Sequence, residues 1–317
     1  MSNGSVFVRG ASYVLGEEEA DYTSIPDLSE LVSRFRLTQN AELWGWGSIR
    51  TTRSDLEDLA ARTGLVTLRT AGIDASSVDA LVLCSNRIPG PAEKHGGFVS
   101  RVLTGIGLGD IPCYGQYLNR CANLLAGLDV SRALVTSGRY RQVLLITTDK
   151  VAAGAERMSQ FALSSDGAAS CVVTSEAGEV SPAGLSTGGT ERYELLGCAT
   201  AQQTADLDWD SEISSDLARQ VNDRLLTPWG LKLDDIRLLA HANIFKPLIM
   251  MKERQAGFDT SQLYLDNIAR IGHCFAADPL INLVDRTALG DIGAGSYCLL
   301  ATSVPGSRAG ALLRTVG

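Results

Sequence analysis

The chain has 317 residues, 45% hydrophobic and 20% charged, the composition of a globular protein with a large core rather than a disordered, fibrous or disulfide-stapled one. Lys and Arg number 28 against 36 Asp and Glu, a net charge of −8 with no basic block, which speaks against nucleic acid as a partner. Apolar runs such as Val143 to Ile146 fall far short of the roughly 20 residues of a bilayer crossing, and the N-terminus lacks the pattern of a secretion signal, so no membrane partner and a cytoplasmic location are expected.

In chain order, Asp55 to Leu68 carries apolar residues at 56, 59, 60, 65 and 68, the spacing of a helix, and Ala71-Gly72-Ile73-Asp74 closes it. Val78 to Cys84 then reads as a buried parallel strand. Asn119 to Val130 starts polar and continues apolar, a helix with Cys121 in its first turn. There, unpaired N–H groups and the helix dipole favour a thiolate. Ser137-Gly138 leads into a strand over 143–146, and Ser175-Glu176-Ala177-Gly178 reads as a junction.

The second half repeats the first. Leu217 to Leu226 reads as a helix, 230–235 as a turn and 236–240 as a strand, with Gly230 following Gly72 by 158 positions (230 − 72). Tyr297 to Leu300 matches the strand at Val143, offset by 154 (297 − 143). Two duplicated βα-rich domains are expected, 1–175 carrying the cysteine and 176–317 carrying two histidines. His241 ends a strand, where parallel sheets present functional groups, and His273 sits at a loop-to-helix start. Cys274 falls opposite Cys121 in the repeat, so His273 should approach that thiol. A thiol with two imidazoles makes a nucleophile with its base and electrostatic partner. His95 reads as a loop residue. Seven scattered cysteines without a CxxC pair exclude a zinc ribbon or disulfide framework, and no metal is expected.

These residues resemble the thiolase superfamily and, within it, the β-ketoacyl-ACP synthase III group. Cys121 to Leu128 followed by Ser137-Gly138 is similar to that family's nucleophile segment, Ser165-Asp166-Gly167-Ala168-Ala169 to its Gly-Asp-Gly-Ala-Gly turn, and Asn282 through Leu300 to its last helix and strand. The resemblance implies an α/β, five-layer αβαβα fold and ping-pong acyl transfer. Cys121 would be acylated from an acyl-CoA or acyl carrier protein (ACP), the phosphopantetheine thioester being the carrier and no other cofactor being needed. The acyl group would pass to a malonyl thioester with decarboxylation, or to a hydroxyl or amine, as in polyketide or other secondary metabolism. The backbone N–H of Cys121 would form the oxyanion hole, with Gly306 as second donor. His241 would be the general base, His273 would polarise the second carbonyl, and Asp278 and Asn243 would support them.

The departures bear on function. The family's His-Gln-Ala-Asn reads Ala240-His241-Ala242-Asn243, and its Gly-Asn reads Gly272-His273, giving a Cys-His-His set. Some relatives in antibiotic pathways have a similar Gly-His segment with a following Asp, as Ala277-Asp278 stands here, and make esters or amides. Trp46 to Arg53 replaces the segment that helps hold CoA adenine, and Val304-Pro305-Gly306 replaces a Gly-Gly-Gly turn, where Pro has no N–H to offer. Lys246, Lys252 and Arg254 could dock an acidic carrier protein, and Trp44, Trp46, Phe98 and Phe161 could wall the acyl pocket. The resemblance further implies a homodimer through the first-half sheet. The rival reading is a non-catalytic scaffold subunit, a form in which the nucleophile is usually lost.

Overall fold

The computed structural model describes residues 4–176, 192–290 and 292–316. The first half runs β1 (Phe7–Leu15), β2 (Glu18–Asp21), α1 (Leu28–Arg34), α2 (Ala41–Trp44), β3 (Ser48–Thr51), α3 (Leu56–Ala71), β4 (Ala80–Cys84), α4 (His95–Ile106), β5 (Cys113–Gln116), α5 (Asn123–Thr136), β6 (Gln142–Asp149) and β7 (Gly167–Thr174). The second runs β8 (Arg192–Gln202), α6 (Ser215–Leu226), β9 (Ile236–His241), α7 (Lys246–Gln255), α8 (Asp266–Ile271), α9 (Asp278–Ala288), β10 (Tyr297–Val304) and β11 (Ser307–Val316). The expected turn at 175–178 lies partly outside the described residues.

Nine strands join in one ladder, ordered β5-β4-β6-β7-β1-β8-β11-β10-β9, with β2 and β3 in a separate pair. The order β9-β10-β11-β8 reproduces β4-β6-β7-β1 with the same senses: one parallel pair, then two antiparallel pairs. The two half-sheets meet where Phe7–Arg9 of β1 pairs antiparallel with Arg192–Glu194 of β8.

Helices separate the half-sheets and cover them. α5 packs against β4, β6 and β7 on one side and β8, β10 and β11 on the other, while α9 bridges β1 and β7 to β9 and β10. α3 and α4 cover the outside of the first half-sheet, and α6 covers that of the second against β8 and β11. The layers are therefore α, β, α, β, α, the thiolase-like arrangement expected from the sequence. Strands enclosed in this way have no solvent face, which is why β4 and β7 are apolar or small and buried throughout and β6 is buried from Val143 to Asp149. Gly127 lets α5 approach, since a Cβ there would stand 2.6 Å from Cys84 Sγ and 2.7 Å from a Leu145 methyl.

Local signals account for the helix ends. α3 begins after Asp55 with Glu57 and Asp58 in its first turn and closes at left-handed Gly72. In α6, Ser214 caps the Leu217 N–H through its hydroxyl. The helix expected to start around Cys121 begins at Asn123 instead, and Cys121 lies in a preceding 3-10 turn, 120–122. Among the described residues, no helix is long and apolar enough to cross a membrane.

Candidate active site

Cys121 is held on a constrained turn. Arg120 before it adopts a left-handed φ of 53°, unusual for a side-chain-bearing residue and sustained by surrounding bonds. The buried Asn123 supplies several of them. Its Oδ1 accepts from the Asn119 N–H at 3.0 Å, and its Nδ2 lies within reach of the Ser85 and Tyr117 carbonyls and Asn86 Oδ1. Asn86 in turn donates through its backbone N–H to Asp149, at 2.6 Å, and burial pushes the Asp149 carboxyl up to about 7 despite that bond.

From the symmetry-related end of α9, His273 reaches this turn. Its backbone is clamped on both sides, donating to the Leu163 carbonyl at 2.7 Å and accepting from the Ser165 N–H at 2.8 Å. Gly272 precedes it at φ 68°, and a Cβ there would stand 2.8 Å from the Leu163 carbonyl oxygen, so only glycine fits. His273 Nε2 stands 3.2 Å from Cys121 Sγ. Its Nδ1 donates to Asp278 Oδ2, and Asp278 also accepts from the backbone N–H groups of Asn243 and Cys274, both at 2.7 Å. Asn243 donates to the Gly272 carbonyl at 2.8 Å and accepts from Asn282, tying β9 to the loop that carries His273. Burial alone would lower the His273 pKa. The charges and hydrogen bonds of Asp278 and Cys121 outweigh burial and hold it well above the ordinary imidazole value. The arrangement lines up a thiol, an imidazole and a carboxylate in sequence.

His241 is not part of this arrangement. Along β9, Leu238 and Ala240 sit in the core facing α5 and α9, while Leu239 between them belongs to the outer cluster under α6. His241 shares the outer face. Its Nδ1 donates to the Ala242 carbonyl at 2.9 Å, and Nε2 stands 3.4 Å from Ser303 Oγ and 3.5 Å from Glu253 Oε1. Burial pushes its pKa down to about 4 against the pull of Glu253, so it stays neutral at pH 7. The expectation of a base facing Cys121 is thus corrected: Ala242, one residue on, lines the cavity instead.

A cavity of about 170 Å³ opens over Cys121 and His273, with Phe161, Trp209 and Ile244 among its apolar walls and Ser303 as a polar one. Burial pushes up the thiols of Cys84, Cys113, Cys171, Cys198 and Cys274, which keeps them protonated and inert. Among the described cysteines, Cys121 is the one lining this cavity.

Comparison with known proteins gives the following likenesses. Residues 117–189 match the model of the family 3-oxoacyl-[acyl-carrier-protein] synthase III. A β-ketoacyl-ACP synthase III of Rickettsia massiliae is 30% identical over 97 residues, 29% of this chain and 28% of that protein. Its counterpart from Fusobacterium nucleatum is 31% identical over 126 residues, covering 37% and 35%. The chain therefore matches about a third or less of these relatives' length. Among solved structures, the acyltransferase ChlB3 superposes with a TM-score of 0.78 at 15% identity, over 98% of both chains. OleA of Xanthomonas campestris, solved with lauric acid and lauroyl-CoA, gives 0.78 at 15%, over 98% of this chain and 99% of that one. The chain is similar to synthase III over the segment that contains Cys121, and it is thiolase-like in fold.

Within this synthase III-like frame, the remaining expected residues fall as follows. Gly306 forms the β10–β11 hairpin with Pro305 at φ 68°. Its carbonyl accepts from the Gln203 N–H at 2.9 Å, and its Cα packs on the Asp206 backbone, so it does not line the cavity over Cys121. Lys246, Lys252 and Arg254 lie on α7, and Lys252 pairs with exposed Glu212 at 3.3 Å. Phe161 lines the cavity, and Trp44 lines an adjoining one of about 320 Å³. Trp46 and Phe98 are core residues instead, buried in separate clusters. Sequence reasoning missed Asn123, Ser303, Glu253 and Arg308. Only Asn123 carried a signal, as a polar residue at the start of an apolar helix.

Proposed function

We propose that the protein is an acyltransferase using an acyl-Cys121 intermediate, with acyl-CoA or acyl-ACP as donor and a hydroxyl or amine as acceptor, in secondary metabolism. The observation that carries this reading is the Cys121–His273 contact with Asp278 behind the imidazole. The thiolate attacks the thioester carbonyl, and His273 gives its Nε2 proton to the departing thiolate. His273 then takes a proton from the incoming hydroxyl or amine as it attacks the acyl-cysteine, which frees the thiolate again. The Cys121 N–H would offer the oxyanion a donor from the turn ahead of α5. Transfer is favoured over decarboxylative condensation because one imidazole lines the cavity rather than the two that the Cys-His-His reading called for. The names of the structural neighbours, an acyltransferase and a protein holding lauroyl-CoA, support a thioester donor. By the same resemblance, the protein works as a homodimer through the first-half sheet.

Incubation with an acyl thioester should add one acyl mass to the intact protein and none to Cys121→Ala. An adduct of equal yield in that variant removes Cys121 from the mechanism. Carbon dioxide released from a malonyl thioester would replace transfer by condensation.

A further inference from the structure

The buried cluster around His241 contains more charge than packing requires. Arg308 is fully buried and donates to both carboxylate oxygens of the equally buried Glu253. Its Nη1 also donates to Ser303 Oγ at 2.8 Å. Such a pair must offset a large desolvation cost, and this one ends on the hydroxyl of Ser303, a residue that lines the cavity over Cys121.

The oxygen of Ser303 is occupied by Arg308, which leaves its proton to be placed. Inside the protein the partner is His241 Nε2, an acceptor because Nδ1 carries the ring proton toward the Ala242 carbonyl, but at 3.4 Å the bond is long. The depressed pKa of His241 keeps that ring neutral and in this role. A hydroxyl that accepts from a guanidinium donates more strongly itself. Its strand is fixed relative to the nucleophile. β10 packs on the 120–122 turn, and Arg120 beside Cys121 donates to the Pro305 carbonyl at 2.7 Å. Gly306 does not line this cavity.

We infer that the Ser303 hydroxyl is the side-chain donor to the carbonyl oxygen of the bound acyl thioester, held in place by Arg308, Glu253 and His241. The inference rests on the acyl-Cys121 reading. In the tetrahedral intermediate, the oxygen gains negative charge and the Ser303 hydrogen bond strengthens, while no proton changes owner.

The test separates carbonyl chemistry from thiol reactivity. In the full-length protein, Ser303→Ala should slow acylation by an acyl thioester on the order of 10²-fold, the usual effect of removing one oxyanion donor. Alkylation of Cys121 by iodoacetamide involves no carbonyl addition and should stay within twofold of wild type. Ser303→Thr keeps the hydroxyl and suits a strand, so it should recover most of the acylation rate. Acylation of Ser303→Ala at the wild-type rate, a parallel fall in alkylation, or a Thr variant as slow as Ala would each overturn the inference while leaving the acyl-enzyme intact. Wild-type protein that never becomes acylated overturns the acyl-enzyme reading first, and this inference with it.

Discussion

His273 and His241 lie on the same half of the molecule, 6% and 1% exposed, and each touches a buried carboxylate. Their surroundings push them to opposite charge states. Among the described residues, Asp278 pairs with no Lys or Arg, and its other bonds come from the backbone N–H groups of Asn243 and Cys274, so its charge acts on His273 and supports the imidazolium. For His241, burial is the largest influence, and the opposing pull of Glu253 is countered by Arg308, which pairs with that carboxylate. A carboxylate beside an imidazole therefore says nothing about proton transfer until its other partners are known. On the proposed mechanism, one imidazole moves a proton and the other holds a hydroxyl still.

Removing the charge of Asp278 should break this difference most. Asp278→Asn keeps the shape but offers His273 a weaker acceptor or the wrong tautomer, and acyl transfer should fall on the order of 10⁴-fold, as for a serine-protease triad given the same change. Thiol alkylation should fall with it. A group whose folded pKa is raised stabilises the fold below its unfolded value, near 6.5, and loses that contribution as pH rises through the folded value. The variant should therefore lose most stability relative to wild type below pH 6.5, measured by urea denaturation. An unchanged rate and an unchanged pH dependence would show that Asp278 only shapes the loop.

The His241 side should respond through stability instead. Its folded pKa of about 4 lies below the unfolded value of 6.5, so as pH falls through that window the unfolded chain takes up a proton that the native state refuses. The wild type loses up to roughly 3 kcal/mol in this way. His241→Gln removes the effect, so the stability gap between wild type and variant should shift by about that amount between pH 7 and pH 4. A gap independent of pH would mean that His241 is solvated or charged in the native state.

How much of this was legible in the sequence depends on the range of the interaction. The α3–β4 and α6–β9 units follow from apolar spacing, and the duplication that pairs the α5 and α9 ends brings His273 to Cys121. Asp278, five residues from His273, was close enough to be noticed. His241 fails because a strand has a period of two: one residue of slippage in Ala240-His241-Ala242-Asn243 moves an imidazole from the cavity face to the opposite one. The Ser303–Arg308–Glu253 network joins β10, β11 and α7 across 55 positions between Glu253 and Arg308, and neither local spacing nor the resemblance marks it.

The smallest effect is expected from the basic residues of the helix that supplies Glu253. Lys252 and Arg254 flank Glu253; Arg254 is exposed, while the Lys252 side chain is only 14% exposed and pairs with exposed Glu212. A pair whose carboxylate is this exposed contributes about 1 kcal/mol or less, so reversing both residues to Glu should leave the buried Glu253–Arg308 pair intact and shift the urea midpoint only slightly. If α7 docks an acidic carrier protein, the KM for an acyl-ACP donor should rise about threefold relative to the KM for the same acyl group on CoA. That ratio should shrink at high salt, because encounter between exposed charges is screened. A ratio equal to wild type would leave α7 with one role, that of holding Glu253 against His241 and Arg308.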